Sequence, residues 1–206
     1  MQTESEEKIQ DSHQGFLSVI HEDLQLVAQS LDNEIKSAFG MASEVIHMIL
    51  GSRSKRIRPA TLLLVSRIFG YQGERAVNLS AALEMIHSAT LLHDDVVDES
   101  VERRGKQSSW NRFGSKLSIL SGDYLFARAL VRLSSDPNPL VWKEVSYLVE
   151  RLCQGELIQL SNVRNVDMTR ETYFDIIERK TAHFFETCCA LGGILGGLTV
   201  NQLDAL

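Results

Sequence analysis

Apolar residues recur along most of this chain at i, i+3 and i+4, the spacing of one helix face. Phe16, Leu17, Ile20, Leu24, Val27, Leu31 and Ile35 form a first stripe, and Val45, Ile46, Ile49 and Leu50 a second. A helix is expected from Pro59 to Phe69, with Pro59 at the first helical position, where its missing N–H costs nothing. The run from Ala76 to about Asp98 is apolar nearly all round, which predicts a long, central, buried helix. Further helices are expected over Leu117–Leu133, Leu140–Ser161 and Tyr173–Leu195, with Thr169 as an N-cap before the last. Gly192, Gly193, Gly196 and Gly197 should break or loosen its end. No alternating strand pattern persists, so the fold class is all-α. Residues 1–13 read as a flexible lead and 14–206 as a single domain without repeats.

Composition narrows the setting. The 206 residues are 44% hydrophobic, enough for one domain with a real core. A net charge of -6 argues against a nucleic-acid surface, which would carry a basic stripe. The cations are local instead, with four of them between Arg53 and Arg58. Cys153, Cys188 and Cys189 show no metal-ligand spacing, and their odd number suits a reducing compartment. The acidic N-terminus is neither a secretory signal nor a transit peptide. No apolar run is long enough to span a bilayer. The chain is expected in the cytoplasm, with no nucleic-acid partner and no transmembrane segment.

The chemistry lies at the end of the long apolar helix, where Asp94, Asp95 and Asp98 arrive together. Burying carboxylates is costly unless cations compensate them. Residues four apart share a helix face, so Asp94 and Asp98 point the same way and Asp95 is turned aside. Two carboxylates on one face suit magnesium, which completes its shell with water and phosphate oxygens. His87 lies on the same stripe. Cations gather in three places: Lys55, Arg56 and Arg58 before one helix, Arg103 and Arg104 just after the aspartates, and Lys180 much further on. Arginine grips phosphate with a planar fork and lysine acts as a point charge, so the set suits two diphosphates.

These stretches, in this order, resemble the all-trans polyprenyl diphosphate synthases, most closely the long-chain octaprenyl and heptaprenyl type. The matching motifs are Lys55-Arg56-Ile57-Arg58-Pro59, His87 to Asp98 followed by Arg103-Arg104-Gly105, Gly122-Asp123-Tyr124-Leu125-Phe126-Ala127, Gly155-Glu156-Leu157-Ile158-Gln159-Leu160 and Arg179-Lys180-Thr181-Ala182. The resemblance implies an isoprenoid synthase-type helical bundle around a central cavity. It implies a prenyltransferase that joins isopentenyl diphosphate to an allylic diphosphate. Lys55, Arg58, His87 and Arg104 would hold the first diphosphate, and Arg103, Lys180 and Thr181 the second. Asp94 and Asp98 would bind Mg2+, and with Arg103 and Lys180 would form the catalytic set. Small Ala89 and Thr90 before the first aspartate imply a long product, and the family implies a homodimer.

Three departures from the family pattern stand out. Arg53-Ser54 replaces the usual glycine pair, and Gln107 and Trp110 replace the usual proline and asparagine. No second aspartate cluster follows, so the chain is expected to be C-terminally incomplete and weak or inactive alone. A non-catalytic partner subunit and a class I terpene cyclase are the competing readings.

Overall fold

A computed structural model describes residues 17–51, 56–103, 105–203 and 205–206. The expected flexible lead lies outside them. A 3₁₀ turn, Ser18–Ile20, leads into α1 (His21–Ser37) and α2 (Ala42–Leu50). Then come α3 (Ile57–Ile68) and the long α4 (Glu74–Val97). A hairpin of β1 (Glu102–Arg103) and β2 (Lys106–Gln107) precedes α5 (Ser109–Phe113), α6 (Ser115–Leu133) and α7 (Pro139–Ser161). The chain continues through α8 (Arg170–Ile177), a π-helical turn (Glu178–Ala182), α9 (His183–Leu195) and α10 (Val200–Leu203).

The α4 helix is the hub. It packs against α1, α3, α6 and α9, and Leu79, Leu83, Met85, Ile86, Ala89 and Leu92 on it are almost inaccessible to solvent. An all-round apolar surface demands cover on every side, and the neighbouring helices supply it. Local signals set the ends of other helices. Asn138 caps α7 by accepting from the Leu140 N–H, with Pro139 in the first helical position. Thr169 caps α8 as expected, its Oγ1 accepting from Thr172 N at 3.1 Å.

A cluster of charge ties α1 to α6. Glu34 is only 4% exposed. Arg128 Nε donates to it at 2.9 Å, and Arg132 Nη2 donates at 2.8 Å. Burial pushes the Glu34 carboxyl pKa up, but the hydrogen bonds and charges of the two guanidiniums outweigh it and hold the pKa below the ordinary value.

Several expectations need correction. The helix expected over Tyr173–Leu195 is three pieces, because a π turn interrupts it at Glu178–Ala182. Gly192 and Gly193 lie inside α9 rather than breaking it. A Cβ on Gly192 would stand 2.8 Å from Val65 Cβ and 2.9 Å from Leu62 O, so this glycine serves the close approach of α9 to α3. Pro59 is the third residue of α3, not the first; its missing N–H still falls among the first four, which have no helical partner. After the aspartates the chain forms a short antiparallel hairpin that the helical periodicity did not announce, with Glu102 opposite Gln107 and Arg103 opposite Lys106.

Candidate active site

The C-terminal end of α4 carries Asp94, Asp95 and Asp98 and has no basic residue in its last turn. The negative end of a helix dipole is an unfavourable place for carboxylates. The chain leaves α4 through a Schellman turn: Ser100 N donates to Asp95 O at 3.1 Å, and Glu99 N to Val96 O at 3.3 Å. Glu99 holds the left-handed position at φ 49°, where glycine is the usual choice. Arg56, the N-cap of α3, is left-handed too, at φ 45°. Two non-glycine residues under backbone strain thus sit in the two segments that carry the site's charges.

A cleft of about 290 Å³ opens beside Asp94. Its lining includes Arg58, His87, Thr90, Asp94, Glu156, Lys180, Thr181 and Phe184. Residues from α3, α4, α7, the π turn and α9 therefore converge on one space. Among the predicted site residues, Arg58, His87, Asp94, Lys180 and Thr181 meet there. Asp98 caps α4 in an exposed position outside the lining, and Arg103 lies on β1. Both remain within electrostatic range of Asp94. Lys55 and Arg104 lie outside the described residues.

One wall of the cleft is built around Arg58. Its Nη1 lies 3.1 Å from His87 Nε2. Its guanidinium stacks 4.7 Å from the centroid of Phe184 and 5.4 Å from that of Phe185. His87 meets Phe184 edge to face. Stacking and the histidine fix the plane of the fork before any ligand arrives.

A second part of the lining is built around Lys180. Its Nζ pairs with the Glu156 carboxylate and donates to Gln159 Oε1 at 3.0 Å. A Cβ on Gly155 would stand 2.8 Å from Lys180 Cγ, so the glycine makes room for the lysine stem. Lys180 and Thr181 sit in the π turn, a feature that recurs at functional sites.

The aspartates divide their work. Asp95 is 1% exposed and accepts from Arg103 Nε at 2.6 Å. It anchors the hairpin arginine, the supporting role its orientation suggested. Asp94 faces the cleft. Burial pushes its pKa up to about 6, and the negative charges of Glu156 and Asp98 add to this, against Lys180 and Arg103. That surplus of negative charge is what a divalent cation would relieve. Among the described residues no three His, Cys, Asp or Glu side chains form a metal cage. A pair of carboxylates open to water and phosphate suits magnesium in particular.

His93 is hydrogen-bonded but lies at the surface of the core. Its Nε2 lies 3.2 Å from Ile119 O and 3.3 Å from Asp123, and the side chain is 38% exposed. A Cβ on Gly122 would strike it at 2.4 Å, which explains the glycine in the Gly122-Asp123 motif. The roles of Gly155, Glu156, Gln159 and Phe184 escaped the sequence reading. The signal available was the motif Gly155-Glu156-Leu157-Ile158-Gln159-Leu160 itself, which marks the stretch without saying which cation it meets.

The polyprenyl synthetase family profile matches residues 40–206. The chain belongs to that family. It is 38% identical to the octaprenyl diphosphate synthase of Escherichia coli K12 over 90% of its own length and 57% of the relative's. It is 34% identical to heptaprenyl diphosphate synthase component 2 of Geobacillus stearothermophilus, over 89% of its own length and 57% of the relative's. Among solved structures, a decaprenyl diphosphate synthase from Rhodobacter capsulatus superposes with a TM-score of 0.86 at 34% identity, covering 94% of this chain and 60% of that one. The polyprenyl synthetase chain thus spans little more than half the length of the relatives it matches. Its fold is the isoprenoid-synthase helical fold expected from the sequence.

Proposed function

We propose that this chain contributes the substrate-binding half of a magnesium-dependent trans-prenyltransferase, joining isopentenyl diphosphate to an allylic diphosphate. One observation carries the reading. Arg58, held by His87, Phe184 and Phe185, and Lys180, held by Glu156 and Gln159, line the same cleft as Asp94. Two diphosphates need two such seats, whereas a terpene cyclase needs one. A polyprenyl synthase from Caulobacter crescentus, with a TM-score of 0.87 and 29% identity over 92% of this chain and 58% of that one, was solved with calcium and isoprenyl diphosphate. That relative supports a divalent-metal diphosphate site in this fold.

In this reading Asp94 and Asp98 would hold Mg2+, which when bound would supply positive charge against a leaving diphosphate. Lys180, Thr181 and Arg103 bind the allylic diphosphate, and Arg58 and His87 the isopentenyl one. Lys55 and Arg104 join the second set on their motif alone. The apolar side of the cleft, Leu91, Leu152 and Phe184, keeps water from the carbocation. A long product is supported by the octaprenyl, heptaprenyl and decaprenyl relatives. It is also supported by small Thr90 in the lining. The aromatic group in the wall is Phe184, on α9 rather than α4.

A second copy is the partner we favour, supported by exposed apolar Ile119, Leu120 and Val131 on α6. A light-scattering mass of two chains would bear this out, and a monomer would count against it. No described helix is long and apolar enough to cross a membrane, and all three cysteines are free thiols, which supports the cytoplasm. Residues 14–206 are taken as one domain, supported by the single core cluster running from Ile20 to Leu195.

Calorimetric titration with isopentenyl diphosphate tests the two-seat assignment. Arg58→Ala should weaken binding at least about tenfold, because a charge-assisted fork is lost. Unchanged binding would sink the assignment.

A further inference from the structure

Resting on the diphosphate reading above, we propose that Glu156 is a positioning residue that makes diphosphate capture by Lys180 depend on the metal. A lysine ammonium has three N–H donors. Two are engaged on α7, by the Glu156 carboxylate and by Gln159 Oε1 at 3.0 Å. The third is left for a ligand.

The seat is built from behind. Gly155 leaves space for the Lys180 stem and for Arg179, whose Cβ would lie 2.9 Å from an added Cβ. Arg179 Nε donates to Asp175 at 2.7 Å, and its Nη1 donates to Gln154 Oε1. Gln154, Gly155, Glu156 and Gln159 therefore form one strip of α7 that fixes the π turn and aims Lys180 along the cleft wall.

The strip also sets the charge. Glu156 and Lys180 are each 23% exposed, so both charges reach the cleft. Glu156 offsets the lysine, and Asp94 and Asp98 offset the nearby Arg103 and Arg58, so no cation at the cleft is left without a carboxylate in its neighbourhood. A bare diphosphate is repelled by carboxylates and meets an ammonium already paired. A divalent cation on the Asp94–Asp98 face reverses that balance, and the same ammonium can then be shared with a phosphate oxygen. In the free cleft Glu156 stands where the ligand's charge will act. A glutamine there would still accept from Lys180, but it would release the lysine's charge.

Calorimetric titration of this chain with inorganic pyrophosphate, with Mg2+ and with a chelator, tests the assignment. The readout is the ratio of the two affinities. Glu156→Gln should shrink that ratio about tenfold, mostly by tightening the metal-free complex, as expected for removing one nearby unit charge. Gln159→Leu should weaken both affinities alike and leave the ratio unchanged, which separates aiming from charge. Should Glu156→Gln fail to give the wild-type helical spectrum, Glu156→Ala carries the same expected ratio. An unchanged or enlarged ratio, with wild type still binding, overturns the role of Glu156 alone. A wild-type chain that does not bind pyrophosphate even with Mg2+ overturns the diphosphate reading, and this role with it.

Discussion

Two groups of carboxylates and cations in this fold have opposite characters. Glu34 is buried between α1 and α6 and receives both Arg128 and Arg132. Its acceptors are filled, and its pKa is held down. Asp94 is partly buried at the end of α4, in the field of Glu156 and Asp98, and its pKa is pushed up to about 6. The same side-chain chemistry is satisfied within the fold at one place and left in deficit at the other. A structural charge stabilises the chain that contains it. A ligand-binding charge costs stability until its ligand arrives.

Exchanging the two carboxylates for amides should split binding from stability. Asp94→Asn is expected to weaken magnesium pyrophosphate binding about a thousandfold, or ~4 kcal/mol, since a direct metal ligand is lost. The same variant should be about 1–2 kcal/mol more stable to urea at neutral pH, because a charge held there against its preference is gone. Glu34→Gln should do the reverse. It should destabilise the chain by about 1–2 kcal/mol in urea titration, leaving the partly exposed Arg128 and Arg132 guanidiniums short of a partner charge, and leave pyrophosphate affinity unchanged. A stability loss in Asp94→Asn to match that of Glu34→Gln would erase the distinction.

A smaller effect probes the lysine seat. Gly155→Ala places a methyl against Lys180 Cγ. Tilting the ammonium off its seat should weaken pyrophosphate about tenfold in calorimetry, on the order of 1.4 kcal/mol. Stability should fall by about 1 kcal/mol through overpacking.

The smallest effect is in pH, and the two carboxylates should respond with opposite sign. The raised pKa of Asp94 means that its ionisation is disfavoured in the fold. Its contribution to the stability of the ligand-free chain is full below the ordinary carboxylate range and is lost as pH rises through about 6. Magnesium needs the ionised form, so its affinity should drop about fourfold between about pH 7.5 and about pH 5.5 by fluorescence or calorimetric titration. The lowered pKa of Glu34 contributes stability above the ordinary range, and this is lost as pH falls through its depressed value. In the Asp94→Asn variant the magnesium response should flatten, while acid unfolding governed by Glu34 should persist.

The contrast also shows what a sequence can carry. The hub helix was legible because periodicity is a local property. The turning aside of Asp95 was legible for the same reason, and its pairing with Arg103 follows from a nearby cation. The partners of Lys180 were not legible. Glu156 and Gln159 reach it across a helix packing, and nothing in the local pattern says which lysine a glutamate will meet. The π turn was equally hidden, because Glu178, Arg179, Lys180 and Ala182 are ordinary helix formers and the widened turn leaves no mark in composition. Glu34 reads as one more polar residue on an amphipathic helix until α6 is laid over it. Long-range charge pairing decides which acid is structural and which is poised for a ligand.

The proposed divalent-metal diphosphate site is the cleft lined by Asp94 and Lys180, with Asp98 beside it. Crystals of this chain grown with Mn2+ and pyrophosphate, measured at the manganese edge, test it most directly. An anomalous peak is expected within coordination distance of Asp94 and Asp98, with pyrophosphate density reaching Lys180. A peak elsewhere, or pyrophosphate bound away from Lys180, would contradict it.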